Sequence, residues 1–261
     1  MNFLLFQIYA PMVSWGEIAV GGERQSSRHP SKSAIIGLIA AALGIKRDEE
    51  ERLSVLGNAL GIAVKLYSGG SVLKDYHTIQ VPRKEAKVVH YTRRSELFTS
   101  SDKIGTILSN REYRCDSLSV AALYLKDDSY SLHEIEKVLK KPFFHLYFGR
   151  KSAVPALPLA PNCIEASTLK EAFDQYKVSF VVPIDEKKPE WLKKIFEQFP
   201  AKTLFDSSIT YFWEDGIESG FDALHSVERY DFPASRKRWQ FSSRRENMAI
   251  IKPAEASNVP Q

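Results

Sequence analysis

Apolar residues recur at helical spacing from Ser33 to Leu43: Ile35, Ile36, Leu38, Ile39, Ala42 and Leu43 share a broad face, and Ala34, Gly37, Ala40 and Ala41 are small enough for close packing. The pattern predicts a buried helix, with Ser31 as N-cap and Gly44 as the left-handed residue that ends it. Ahead of it, the apolar run FLLFQIY (3–9) has the look of a buried central strand. After it, Asp48 and Glu51 stand at capping-box spacing and Leu53, Leu56 and Leu60 share one face, which predicts a surface helix. GIAVKLY and SVLKDYHTIQV flank the turn signal SGG and predict a hairpin. SLSVAALYL (117–125) predicts a strand, and SLHEIEKVLKKP a helix with a Ser131/Glu134 capping box, stopped by Pro142. Further strand-like runs are the aromatic PFFHLYF, VSFVVPI and TLFDSSITYFW, the last two flanking a helical PEWLKKIFEQF.

Between Pro82 and Asn110 periodicity gives way to a basic, Ser/Thr-rich excursion, although KVVHYT has strand character; a segment of that length inside a compact domain is usually functional or disordered. The order β-α-β-β-α-β in the first half is that of the split βαβ, or ferredoxin-like, arrangement: an α+β sandwich whose open sheet face commonly serves as an RNA platform. The fold class expected is therefore α+β. Residues 1–184 form the main domain, 185–252 a C-terminal extension, and 253–261 a disordered tail.

At 261 residues, 44% hydrophobic and 26% charged, the chain has ordinary globular composition. Its apolar stretches are too short to span a bilayer, and MNFLLFQIYAP lacks the basic start and cleavage site of a signal peptide, so a cytoplasmic protein without membrane attachment is expected. Cys115 and Cys163 lie far apart and read as packing residues, and no His/Asp/Glu cluster has metal-ligand spacing; neither metal nor cofactor is expected. Charge sharpens the picture because it is unevenly spread. From Arg83 to Arg114 eight Lys/Arg stand against four Asp/Glu, and from Arg229 to Lys252 seven against two, interleaved with Tyr230, Phe232, Trp239 and Phe241. Such patches suit a polyanionic partner, although basic loops are often merely solvated.

The buried helix has a basic approach in Arg24, Arg28 and Lys32, and its first turn offers free backbone N–H groups, so a phosphate would fit there, with Ser31 and Ser33 supplying hydroxyls. Gly149, beside Arg150, Lys151 and Ser152, would let backbone approach a strand that the two cations neutralise; the loop lacks the second glycine and Gly-Lys-Ser/Thr ending of a Walker A motif. Trp15 beside Gly16 either stacks on a splayed base or plugs the core.

Read in register, these pieces resemble one family. Ala10-Pro11-Met12-Val13-Ser14-Trp15-Gly16 follows the first strand, and Arg28-His29-Pro30-Ser31-Lys32-Ser33 runs into the Ala/Leu/Gly-rich helix. Then come Asp75-Tyr76-His77-Thr78, the triplet Arg111, Tyr113 and Asp116, the run Tyr147, Gly149, Arg150, Lys151 and Ser152, and the C-terminal QFSSRRE. The series resembles the Cas-five subunits of CRISPR effector complexes, members of the RAMP superfamily, in particular the form found in Cascade of type I-E. Arg114 departs from the apolar residue usual in that family.

The resemblance implies a ferredoxin-like (RRM-like) RAMP palm with a long inserted β-hairpin thumb at about 75–115. It implies a non-catalytic RNA-binding subunit that holds the 5′ handle of the CRISPR RNA, joins the backbone (Cas-seven-type) and large subunits, and meets target DNA only indirectly. RNA contacts would come from Ser14, Trp15, Arg24, Arg28, Lys32, Ser33, His77, Arg111, Tyr113, Gly149, Arg150, Lys151 and Ser152. The competing reading is a metal-independent endoribonuclease, with His77 and Tyr76, or His90 and Tyr91, as the proton-transfer pair. A small-molecule enzyme has no nucleotide fingerprint or nucleophile elbow to support it.

Overall fold

The computed structural model describes residues 1–19, 22–83, 89–98, 103–179, 206, 208–235, 238 and 240–252. The expected VSFVVPI strand lies largely outside these residues, and the PEWLKKIFEQF helix, Trp191, Trp239 and the 253–261 tail lie wholly outside them. Among the described residues, no helix is long and apolar enough to cross a membrane.

The elements in chain order are β1 (Asn2–Val13), β2 (Glu23–Arg24), α1 (Lys32–Ala42), α2 (Glu50–Ala59), β3 (Leu60–Ser68), β4 (Ser71–Pro82), α3 (Arg93–Leu97), β5 (Ile104–Leu125), α4 (Leu132–Lys140), β6 (Asn162–Glu165), α5 (Leu169–Gln175), β7 (Ile209–Glu214), β8 (His225–Ser235) and β9 (Gln240–Ile251). The main sheet runs β6-β1-β5-β3-β7-β9-β8, and each neighbouring pair is antiparallel. The described strands β7, β8 and β9, from the segment expected as an extension, thus belong to the same sheet, with β7 pairing directly with β3 from Ala63↔Trp213 to Leu66↔Thr210.

Both faces of the sheet are covered. Leu4, Phe6 and Ile8 of β1 meet α1, α2 and α4 on one side, whereas Phe3, Leu5 and Tyr9 meet α5, Leu157 and the aromatic side chains of β7 on the other. β3 is buried at every residue, as a strand enclosed on two faces must be. The open RNA platform expected from the sequence is therefore closed by α5 and the segments flanking it, and Trp213 is a core residue.

The predicted hairpin at SGG is not formed. β3 and β4 do not pair with each other; both pair with β5, which runs for 22 residues past the pair of them. The chain turns aside at Gly70 (φ +64°), where a Cβ would stand 2.2 Å from the Cys115 carbonyl oxygen, and β5 kinks at the same level through Asp116 (φ 57°). The hairpin that does form joins β4 to the first half of β5, in register from Ser71↔Cys115 to Pro82↔Ile104. It occupies nearly the span expected for the thumb.

Ser31 caps α1 as predicted, its hydroxyl accepting from the Ala34 N–H (3.2 Å), and Gly44 is left-handed. The other two capping boxes are absent. Glu49, not Asp48, precedes α2, and Ser131 makes no side-chain cap bond to α4. The aromatic run 143–148 is irregular chain with bends rather than a strand, and residues 89–92 of KVVHYT are not strand.

Candidate nucleic-acid interface

β1 ends at Val13, and the turn that follows is clasped by the loop at 148–150. The Ser14 N–H donates to the Phe148 carbonyl (3.1 Å), and the Ser14 hydroxyl accepts from Nε of Arg150 (3.3 Å). Gly149 lies between them at φ +85°, and a Cβ there would come within 1.7 Å of the Ser14 carbonyl oxygen. The close approach that glycine permits is therefore spent on the chain's own backbone rather than kept for an RNA strand. Arg150 is held a second time by the Tyr113 ring, whose centre lies 4.9 Å from the guanidinium carbon.

This clasp forms one wall of a cleft of about 1140 Å³, to which Ser14, Arg24, Ser33, Gly149 and Arg150 all contribute. Five residues picked from three separated stretches of sequence thus converge on one depression. It lies at the root of the hairpin: β2 pairs in parallel with β5, setting Arg24 opposite Arg111, and Arg111 faces Asp75 of β4 on its other side. Glu17, Glu228 and Asp231 also line the cleft, so its charge is mixed.

Residues 3–246 match the family described as CRISPR-associated protein (Cas_Cas5). The chain belongs to the CRISPR-associated Cas5 family. It is 29% identical over 185 residues to the CRISPR system Cascade subunit CasD of Escherichia coli (strain K12), a match covering 67% of this chain and 77% of that relative. It is similar in fold to a chain of a CRISPR RNA-guided surveillance complex (TM-score 0.62, 22% identity, 96% of this chain and 90% of that one). A second solved Cas protein gives TM-score 0.61 at 23% identity, over 99% of this chain and 100% of that one.

Other residues singled out in this Cas5 chain are placed elsewhere. Lys32 is 3% exposed, its ammonium 2.9 and 3.1 Å from the two carboxylate oxygens of Glu214 and 3.0 Å from the Leu60 carbonyl. Burial draws its pKa down to about 8, against the opposing pull of Glu214. The anion expected at the start of α1 is also internal: Asp231 accepts from the Lys32 N–H at 2.8 Å. Trp15 is a core residue against Phe148 (ring centres 5.7 Å), not a free stacking surface. Arg28 is exposed and pairs with Asp206 at 3.4 Å. His77, out on the hairpin, bonds Asp75 at 3.1 Å, and Tyr76 as its strand neighbour points to the opposite face, so the first of the two nominated proton-transfer pairs does not share a face. Lys151 and Ser152 are exposed on the turn after Arg150. Arg114 grips the Ser26 carbonyl through Nε and Nη2 (3.3 and 3.2 Å).

The residues that sequence reasoning did not place in the site come mainly from the C-terminal strands. Arg229 and Tyr230 of β8 and Phe241 of β9 also line the cleft, as does Arg47 from the loop between α1 and α2. Behind it lies a buried ionic network. The Glu246 carboxylate meets His29 (3.1 Å), Arg229 (3.0 Å) and Arg244, and Arg244 also grips Asp231 at 2.6 and 2.9 Å. Burial lowers the His29 pKa, the Glu246 hydrogen bond opposing it and the neighbouring arginines adding to it, which favours the neutral form of a ring stacked 3.6 Å from Phe212. Burial by itself would raise Glu246, but the His29 hydrogen bond and the two guanidiniums outweigh it and hold the carboxyl well below the usual range. The only forewarning was the aromatic-basic interleaving after Arg229.

A three-donor cluster lies apart from the cleft: His133, Glu136 and Cys163 bring potential metal-ligand atoms within 4.8 Å of one another. Linear spacing could not show it, because Cys163 arrives on β6. Glu136 is engaged by Lys140 (2.6 Å), and burial together with Glu136 pushes the Cys163 thiol up to about 12, which opposes the thiolate a metal needs.

Proposed function

We propose that this chain is a non-catalytic, RNA-holding subunit of a Cascade-type CRISPR surveillance complex, and that it holds the repeat-derived 5′ handle of the CRISPR RNA. The reading treats the β6-β1-β5-β3 order with its α1, α2 and α4 cover as the ferredoxin-like RAMP palm, and the β4–β5 hairpin as the thumb. It is carried by one observation: in a chain of the Cas5 family, Ser14, Arg24, Ser33 and Arg150 converge on one cleft at the hairpin's root. Guanidiniums and hydroxyls there suit phosphate and ribose contacts, which position a strand without reading its sequence. Joining the backbone and large subunits is supported by a second cleft of about 1160 Å³ bordered by Phe143, Phe144, Tyr147 and Val154, with Phe143 74% exposed. Apolar surface of that kind marks protein contacts.

The test incubates the purified chain, without metal, with end-labelled RNA carrying its own repeat, on native and denaturing gels in parallel. A shifted but intact RNA is expected, with affinity falling by about 0.7 log unit per log unit of salt for each phosphate contact. Arg150→Ala should flatten that slope by about one contact. Discrete cuts in the repeat would overturn the non-catalytic assignment; no shift would overturn RNA holding by this chain.

A further inference from the structure

We infer that β8 and β9 supply the base-recognising wall of the cleft, with Tyr230, alongside Phe241, stacking on one unpaired base of single-stranded RNA. This rests on the RNA reading above and assigns to that site Tyr230, which lies outside every motif that suggested it, together with Phe241 of QFSSRRE.

The register of β8 against β9 slips between Arg229↔Arg244 and Phe232↔Ser242, three steps on one strand against two on the other. Such a bulge adds a residue and re-aims the side chains beside it. Here Asp231 is turned inward, to the Lys32 N–H and the Arg244 guanidinium, and Tyr230 is left 55% exposed in the cleft. An aromatic ring standing half in solvent within a cleft is a surface without its partner.

The backbone that carries the ring is also held in advance, through the residues on either side. Its neighbour Arg229 is fixed by Glu246 (3.0 Å) and the Ser27 hydroxyl (3.1 Å), and Asp231 by Arg244 and the end of α1. Little ordering cost remains for a ligand that docks on such a platform.

The same cleft is lined by the Arg150–Ser14 clasp and Arg24. Aromatic rings together with cationic and hydroxyl-bearing groups lining one cleft match a nucleotide, with the base on the ring and the phosphate on the arginines. Duplex RNA does not fit this arrangement, because its bases already stack on one another. The carboxylates of Glu17 and Glu228 in the same cleft can accept from the exocyclic amine of a base.

The experiment uses the full chain and fluorescently labelled repeat RNA, together with a set in which each nucleotide in turn lacks its base, read by fluorescence anisotropy at fixed salt. For the wild type, one abasic position should weaken binding about 5- to 150-fold, the range expected for a stacked base. Tyr230→Ala should weaken the intact RNA by a similar factor and remove the penalty at that same position, with its salt slope unchanged because no charge is lost. Tyr230→Phe should keep the penalty, which separates stacking from misfolding. Wild-type affinity in Tyr230→Ala, or a penalty undiminished in it, overturns the inference while leaving the RNA reading intact, provided Arg150→Ala still flattens the slope. A wild-type chain that binds no RNA overturns both.

Discussion

Gly149 illustrates how far a single residue could be read in advance. Its place beside Arg150 and Lys151 marked the loop, but its role follows from one contact: at φ +85° it leaves room for the Ser14 carbonyl oxygen, which a Cβ would meet at 1.7 Å. Gly149→Ala should therefore destabilise the fold by at least about 2 kcal/mol, combining a left-handed conformation with a backbone clash. Urea denaturation measures this, and an unchanged midpoint would mean that the loop relaxes freely. Arg150 was legible as a cation on a turn. That Tyr113 and Ser14 hold it in place was not, because they come from a different strand and a distant loop. Trp15 was legible only as two alternatives, and burial decided for the core.

Helix α1 was readable as an element nearly to its ends, since its apolar spacing, Ser31 cap and Gly44 stop are local signals. Its attachment was not. The Lys32 side chain reaches Glu214 of β7, 182 positions away, and the N–H at the same residue reaches Asp231 of β8. Lys32→Met removes one of the two cations nearest Glu214 but leaves Lys126 at 2.7 Å, so the loss should fall below that of a fully broken buried pair, about 3–5 kcal/mol. The variant should lose stability in denaturant titration yet keep the salt slope of RNA binding. A flattened slope would instead place Lys32 on phosphate. β5 was misjudged for a related reason: SGG is a sound turn signal, but whether a turn reverses a chain or only bends it depends on which strand offers the hydrogen bonds. Here β5 is long enough to serve β3 and β4 in succession.

In the whole molecule, the network around Glu246 ties the strands after Ile209 to the loop before α1, and it gives the fold a pH dependence of known sign. His29 is kept neutral by burial, whereas an unfolded imidazole titrates near 6.5. Below that pH the unfolded chain takes up a proton that the folded one refuses, so stability falls with acidification, by at most about 1.4 kcal/mol per pH unit for one group. Glu246, held ionised in the fold, adds a further loss below its ordinary value of 4.5. Urea midpoints measured from pH 8 to pH 4 should fall through both ranges, and His29→Gln should flatten the segment between about pH 6.5 and 5. Equal slopes in the two proteins would remove His29 from the account. The sequence by itself determined the α1 boundaries, the leading strand, the basic excursion that became the hairpin and the family resemblance, because each depends on residues close together along the chain. Only the tertiary structure decided that the sheet is covered on both faces, that the C-terminal strands rejoin it, that Lys32 and Asp231 satisfy each other's surroundings in the interior, and that Tyr230 faces the cleft. Those outcomes depend on which distant strands supply hydrogen bonds and on which charges are desolvated together, and neither is encoded in local spacing.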